Sequence, residues 1–172
     1  HGKSALKVVE KIREQPFYEG KAEAEFIVVC DVSKMTDEVV SDLNLAQVTV
    51  QHVASKKNSS DEKLRQGMRR FVANFFGLAV ELTVVLISGD QDFVADISDF
   101  RHRNGVNVVL LHNAMAKEGM IAMAQESYDF STIHAGIPAR DSLTSSFTFT
   151  ELEVRNLPLS GNVQESLEGL IR

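Results

Sequence analysis

The chain has 172 residues and a net charge of −6, and apolar residues make up 44% of it. This length suits one domain with a fragment of a second, and the acidic balance excludes indiscriminate tight binding to duplex nucleic acid. No apolar run approaches the roughly 20 residues of a membrane span, and no secretory leader is visible. The lone Cys30 excludes an internal disulfide, so we expect a reducing, cytoplasmic location.

Helix and strand patterns alternate along the chain. Ser4 and Thr36 are predicted helix N-caps, and Gly105 is a predicted helix end. Regular alternation is typical of an α/β fold in which helices flank both faces of a central parallel sheet. The spacing of apolar residues predicts strands over 25–30, 47–53, 82–87 and 106–111 and helices over 4–14, 33–43, 61–75, 90–103 and 115–124.

The segment 84–93 carries the most informative pattern. Its apolar residues predict a buried strand, Gly89 allows a tight turn, and Phe93 begins an apolar helical stripe. Ligands of open parallel sheets bind at the carboxyl ends of the strands, which places Asp90 at the expected working edge. Asp is also a favoured helix N-cap, and this interpretation of Asp90 stays open.

Three aspartates are predicted to share one edge of the sheet. Asp31 and Asp90 each end a strand, and Asp61 begins the helix after the strand 47–53. With right-handed crossovers these positions fall on the same side, where like charges repel unless a cation lies between them. Carboxylate oxygens suit Mg²⁺ or Mn²⁺, and the alternative for each aspartate alone is a cap or turn residue.

Other charged residues are predicted near this edge. Asp92 is close enough to Asp90 to support it, whereas Asp96 and Asp99 are expected on the solvated face of their helix. Basic side chains beside an acidic rim would guide a phosphate backbone, although a run of basic residues is also typical of an ordinary solvent-exposed surface. The predicted RNA contacts are Lys56, Lys57 and Arg65.

The motif Ser88-Gly89-Asp90-Gln91-Asp92-Phe93 resembles the SGDxDF signature of NYN domains, which are PIN-like ribonucleases. The segments 25–31, 61–66 and 98–105 are similar to NYN domains of the meiosis regulator and mRNA stability factor type, and the likeness covers residues 3–130. It implies a PIN-like three-layer fold and an endoribonuclease that cuts single-stranded RNA with Mg²⁺ or Mn²⁺ in mRNA control. The implied metal ligands are Asp31, Asp61 and Asp90, and these three with Asp92 form the implied catalytic set.

The resemblance also implies a domain organisation. The family opens with a strand ending in an acid, so we expect that strand and its acid to lie before His1, and residues 1–130 to form the rest of the nuclease domain. Residues 131–147 are predicted to be a linker, and residues 148–172 a strand and helix that resemble the start of an RNA-recognition motif. Further RNA-binding domains and a peroxisome association follow as expectations from the family alone.

Two other functions remain open from the sequence. A non-catalytic RNA-binding module would use the same basic surface without a complete acidic site, and a protein-interaction scaffold would use neither. Cleavage of labelled RNA with Mn²⁺ and then with EDTA separates an enzyme from a binding module, and RNA affinity separates the scaffold from both.

Overall fold

A computed structural model describes residues 2–56 and 58–140 of the chain. Lys57 and the whole of 141–172 lie outside the described residues, so the strand and helix predicted within 148–172 stay predictions. The described part is an α/β structure in which all named strand pairs are parallel, as the alternating pattern predicted.

The strands and helices follow one another in the predicted order, with two short elements added at the end. The strands are β1 (Ile27–Cys30), β2 (Thr49–His52), β3 (Thr83–Ile87), β4 (Asn107–His112) and β5 (Glu126–Asp129). The helices are α1 (Ala5–Arg13), α2 (Asp37–Leu45), α3 (Ser59–Phe75), α4 (Val94–His102), α5 (Glu118–Met123) and α6 (Phe130–Ile133).

Side-chain caps explain several helix boundaries. The Ser4 hydroxyl accepts the Lys7 amide at the start of α1, and the Thr36 hydroxyl accepts the Val39 amide at the start of α2. Helix α2 begins four residues later than predicted, because Asp31 first caps a 3₁₀ turn over Val32–Lys34. Asp90 caps the corresponding turn, Gln91–Phe93, ahead of α4.

The strands form two separate sheets instead of the single sheet predicted from the alternating pattern. β1 pairs with β2, with Ile27 opposite Thr49, and β4 lies between β3 and β5 in the second sheet. Within the described residues β1 and β3 are not paired with each other. The described part of the chain therefore has a two-stranded parallel sheet, β1–β2, and a three-stranded parallel sheet, β3–β4–β5.

Helices cover both faces of the larger sheet, which gives three layers. Side chains of β3 and β4 alternate, so Leu86 and Leu110 face α3, α4 and α5, whereas Val109 and Leu111 face α1 and α6. A third cluster packs α1 and α2 against the β1–β2 sheet. The cluster that contains Leu86 and Leu110 also holds Val72, Phe93, Ile97, Phe100 and Met120. The cluster with Val109 and Leu111 holds Ile12, Phe17 and Ile133, and the third holds Val9, Leu43 and Val48.

The structure differs from the sequence prediction at residues 126–140. Strand β5 and helix α6 were not predicted, and the segment 131–140 packs on the domain where a linker was expected, with Ile137 buried. Arg140 donates to Asp42 over 2.6 Å, and the same carboxylate oxygen accepts the Ser4 hydroxyl over 2.7 Å. This contact joins both ends of the described chain to α2.

Candidate active site

The turn after β3 holds Asp90 in a defined and exposed position. The Ser88 amide donates to the Leu111 carbonyl over 3.0 Å, which continues the β3–β4 ladder past the end of the strand. The Asp90 amide then donates to Ser88 Oγ, and Asp90 Oδ1 accepts the Asp92 amide over 2.9 Å. The hydrogen bond from the Asp92 amide confirms that Asp90 is a cap. Among the described residues its other carboxylate oxygen makes no hydrogen bond, which leaves one oxygen for a ligand.

Gly89 lies directly against Asn113, which follows β4. A Cβ added at Gly89 would be 2.5 Å from Asn113 Oδ1 and 2.8 Å from its Cγ, closer than such atoms approach. Asn113 Oδ1 also accepts the Met115 amide over 3.0 Å, so this side chain already has a fixed position. The close approach explains why the turn needs a residue without a Cβ.

We expect Gly89→Ala to lower the free energy of unfolding by about 1 kcal/mol, because Asn113 must swing away and lose its hydrogen bond to Met115. In an Asn113→Ala background, where both the clash and this hydrogen bond are already absent, Gly89→Ala should cost much less. The control is Gly119→Ala in α5, which meets no atom and should stabilise the helix slightly. Denaturant unfolding measures all three, and equal effects of the two glycine changes would contradict the close contact.

Asp31 occupies the corresponding position at the end of β1. Its Oδ1 accepts the Ser33 amide over 3.1 Å and the Ser33 hydroxyl over 2.7 Å, and its Oδ2 accepts the Ser55 hydroxyl. The hydrogen bond from Ser55, followed by that from the Ser33 hydroxyl, lowers the pKa of Asp31 to about 2. Asp31 is therefore ionised at neutral pH, with both oxygens already hydrogen-bonded.

The pKa of Asp31 gives a direct test of this arrangement. Because its folded pKa lies below the ordinary value of 3.8, the charged carboxylate stabilises the fold above about pH 4, and this contribution is lost as the pH falls towards 2. Ser55→Ala removes the main cause, so the titration midpoint of Asp31 followed by NMR should rise. Ser41 is exposed and is not one of the groups that shift the pKa of Asp31, so an equal rise in Ser41→Ala would contradict the assignment.

The predicted acids are not gathered into a ready-made metal site. Asp31 and Asp90 end strands of different sheets, and Asp61 lies in the first turn of α3. Over residues 2–56 and 58–140, no three His, Cys, Asp or Glu side chains lie close enough to hold one ion. Their role as a common ligand set therefore stays a prediction.

The sequence pattern of the NYN domain matches residues 2–132, which are three quarters of the chain and include every strand of the part that the structure describes. The chain belongs to the NYN domain family. It is 44% identical over 158 residues to meiosis regulator and mRNA stability factor 1 of Gallus gallus, and equally identical to the proteins of that name in Mus musculus and Bos taurus. These alignments cover 91% of this chain but only 9% of each relative. The names of the relatives do not support a peroxisome association.

Arg65 of this NYN domain is held against the turn after Asp90, and its role as an RNA contact stays a prediction. Its Nη2 donates to the Asp92 carbonyl over 2.7 Å, and its guanidinium lies over the Phe93 ring at 5.2 Å. Its Nε is 3.1 Å from Asp96 Oδ2, a charge contact whose N–H is not aligned with that oxygen. Arg65 thus positions the acidic turn, while the Asp92 side chain stays exposed.

Asp96 is buried, with 2% of its surface exposed, so its predicted place on a solvated helix face is wrong. Its Oδ1 accepts two hydrogen bonds from Arg69, over 2.9 and 2.6 Å. Arg65 and Arg69 are four residues apart on α3 and therefore project from one face towards this carboxylate. Asp99 is half exposed and pairs with Arg103, the residue that follows α4, as a surface residue should.

Three polar residues at the carboxyl ends of β4 and β5, the sheet edge that also carries Asp90, were not predicted from the sequence. His112 ends β4 opposite Asp129 of β5, and Asn113 follows His112. Asp129 accepts the Ser131 amide over 2.8 Å, and hydrogen bonds from Ser131 lower the pKa of Asp129. The strand Glu126–Asp129 is too short and polar for an alternation pattern to identify, so the sequence gives no clear signal for Asp129.

Lys56 is exposed in the loop between β2 and α3, where an RNA contact was predicted, and Lys57 lies outside the described residues. No helix in the described part of the chain combines the length and apolar character needed to cross a membrane.

Proposed function

We propose that this NYN domain is a metal-dependent endoribonuclease that cuts single-stranded RNA in the control of mRNA. The observation that supports this proposal best is the exposed Asp90 carboxylate, which the signature turn after β3 fixes with one oxygen left without a partner among the described residues. The relatives are named as mRNA stability factors, and the chain spans about 9% of their length. We extend this proposal to the activity and RNA targets of the whole protein.

The carboxylates present fit a magnesium-type ion better than a metal that needs many protein ligands. Mg²⁺ is commonly bound through one or two carboxylates, with water and substrate phosphate as the other ligands, so a cluster of three acids is not required. Asp90 would be the main ligand, since both oxygens of Asp31 already accept hydrogen bonds. Asp61 and Asp92 would support the site electrostatically. When bound, the ion supplies positive charge beside the phosphate that is cut.

The remaining residues of the site would bind and orient RNA. The chain is acidic overall, so attraction of a phosphate backbone must come from local cations, and the sequence neighbours Lys56 and Lys57 are the candidate pair. Arg65 would act indirectly, because its contacts with Asp92 and Phe93 fix the turn that presents Asp90. This arrangement predicts cleavage without base specificity from these residues, since phosphate contacts carry no sequence information.

The proposal is tested by incubating an end-labelled single-stranded RNA with residues 1–172 and with the protein at its full natural length. We expect internal cleavage by at least the full-length form in Mn²⁺ or Mg²⁺, and complete loss of cleavage in EDTA. Cleavage that persists in EDTA would contradict metal dependence. RNA binding by both forms without any cleavage would instead support the second function.

A second candidate function is a non-catalytic RNA-binding module. The observation in its favour is that the acids Asp31, Asp61 and Asp90 do not form a metal cluster in the described residues. Such a module would bind RNA equally with and without divalent ions, and it would keep its affinity when Asp90 is made neutral.

The loop lysines are tested through the salt dependence of RNA binding. We expect Lys56→Ala with Lys57→Ala to weaken binding to all single-stranded sequences alike, and to lower the slope of log affinity against log salt by roughly one to two. The matched control is Lys11→Ala, which removes a cation that pairs with Glu14 on α1. An unchanged slope in the double variant would make the loop an ordinary solvated surface.

A further inference from the structure

The loop after β4, residues 113–117, lies directly against the acidic turn. The side chain of Asn113 touches Gly89, because a Cβ added at Gly89 would be 2.8 Å from Asn113 Nδ2. Lys117 Nζ donates to Gln91 Oε1 over 2.7 Å, which joins the far end of the loop to the same turn. These two partners are the residues before and after the candidate metal ligand, so the loop and the turn form one continuous surface.

Asn113 has a fixed side chain with an unused donor. Its Oδ1 accepts the Met115 amide over 3.0 Å, and its backbone carbonyl accepts the Ala116 amide over 3.1 Å, which closes the loop into a defined turn. Because only the oxygen of a side-chain amide accepts a hydrogen bond, these contacts fix which way the amide faces. Asn113 is exposed and its Nδ2 makes no hydrogen bond within the described residues, so its N–H groups are available to a ligand beside Asp90.

Lys117 adds a positive charge to the same surface. Its ammonium carries three N–H donors, of which Gln91 takes one. Over the part of the chain that the structure describes, it pairs with no carboxylate, including that of the adjacent and exposed Glu118. The charge of Lys117 is therefore not neutralised by its contact with the turn, since the partner there is a neutral amide.

The loop lies on the opposite flank of β3 from Lys56. β4 pairs with β3 in the larger sheet, whereas Lys56 follows β2 in the smaller sheet. Residues 27–29 of β1 and residues 82–88 line a common cavity, so the smaller sheet lies beside the other edge of β3. Along the carboxyl ends of the strands, Asp90 therefore stands between Lys56 and the loop.

This order matters for an enzyme that cuts RNA internally, because the RNA chain then continues in both directions from the phosphate that is cut. With that phosphate at Asp90, Lys56 is on one side and the loop 113–117 on the other. A cation beside a neutral donor suits a phosphate group, since hydrogen bonds to a charged acceptor are the stronger ones and lysine binds phosphate as a point charge. The loop carries this combination in Lys117 and Asn113.

We propose that Asn113 and Lys117 form a second phosphate subsite, which binds the RNA backbone next to the phosphate that is cut. Asn113 Nδ2 donates to a non-bridging phosphate oxygen, and Lys117 Nζ pairs with the same stretch of backbone. This inference rests on the proposed endoribonuclease function and adds the contacts on the β4 side of Asp90. Neither contact reads a base, so the subsite holds RNA without sequence preference.

The charge of Lys117 is tested by Lys117→Gln, which keeps a donor for Gln91. We expect weaker binding of residues 1–172 to all single-stranded RNA alike and a slope of log affinity against log salt that is lower by about one, with Lys117→Arg restoring both. The matched control is Lys21→Gln. Lys21 likewise donates to one oxygen, the Phe17 carbonyl over 3.0 Å, but it precedes β1 and so lies at the amino ends of the strands. Equal slopes in the two variants would overturn the role of Lys117.

The donor of Asn113 is tested by Asn113→Asp, which keeps an oxygen to accept the Met115 amide and so preserves the turn. Binding is measured in EDTA, so that the new carboxylate cannot recruit a metal ion. We expect RNA affinity to fall at least about tenfold, and further than in Asn113→Ala, because a donor to phosphate becomes an anion. A purely structural Asn113 would give the reverse order. Asn44→Asp, an exposed change in the last turn of α2, adds the same charge as a control.

A series of shortened RNAs locates the subsite in the protein at its full natural length. An oligonucleotide that is cut is shortened one nucleotide at a time from each end. The slower cleavage by Lys117→Gln should disappear when the RNA is shortened from one end only, and a loss that persists in both series would overturn the subsite. Unchanged RNA affinity and cleavage in both variants would overturn the subsite and leave the endoribonuclease proposal standing, whereas no binding of RNA by the unchanged protein would overturn both.

Discussion

Asp90→Asn is expected to reduce RNA cleavage by orders of magnitude while the fold and RNA binding persist. Asn caps a helix about as well as Asp, so the hydrogen bond from the Asp92 amide is kept and stability should change by about 1 kcal/mol or less. A neutral amide is a poor ligand for a divalent ion, and the positive charge that stabilises the phosphate transition state is lost with it. Binding should persist or tighten, since one negative charge leaves the phosphate path.

The matched control for Asp90→Asn is Asp99→Asn. It removes the same charge from an exposed residue that pairs with Arg103 on the outside of α4. Paired measurements of cleavage rate, RNA affinity and Mn²⁺ affinity should separate the two variants, with loss only at Asp90. Undiminished Mn²⁺-dependent cleavage by Asp90→Asn would leave Asp90 as a helix cap only.

Periodicity and capping were enough to predict most of the fold. Apolar runs located β1 to β4, and Ser4 and Thr36 marked the starts of two helices, because these are local effects of side chains on their own backbone. The predicted starts of helices were too early where an aspartate first caps a 3₁₀ turn, as Asp31 does, since the sequence does not distinguish that turn from the helix itself. The polar strand Glu126–Asp129 is defined by its pairing with β4, which is a tertiary contact.

The site was predicted less completely because its geometry depends on contacts between distant segments. The order of strands placed Asp31 and Asp90 at strand ends correctly, but strand order gives no distance between them, and the two acids end strands of different sheets. Arg65 looked like a surface cation because the sequence does not reveal its partners on the next helix. The burial of Asp96 was missed for the same reason, because it depends on contacts with two arginines that precede it by about thirty residues.

Asp96→Asn should be the most destabilising single change at this edge of the domain. The side chain is 3% exposed and accepts two hydrogen bonds from Arg69 with Arg65 alongside, so the variant leaves two cations beside an amide that cannot balance them. Breaking a buried ion pair by removing one partner costs about 3–5 kcal/mol. Because Arg69 is 62% exposed and can turn to water, we expect a smaller loss, about 2–3 kcal/mol.

The consequences of Asp96→Asn extend to the acidic turn. Arg65 bridges Asp96 and the Asp92 carbonyl, so releasing it from Asp96 should loosen the turn that holds Asp90. We therefore expect slower cleavage at saturating metal, in addition to a lower midpoint of denaturant unfolding. Arg69→Ala is the matched comparison, because it removes the exposed partner and leaves Arg65 in place, and it should cost about 1 kcal/mol or less. Equal losses of stability in Asp96→Asn and Asp99→Asn would show that the buried carboxylate does not hold α3 against α4.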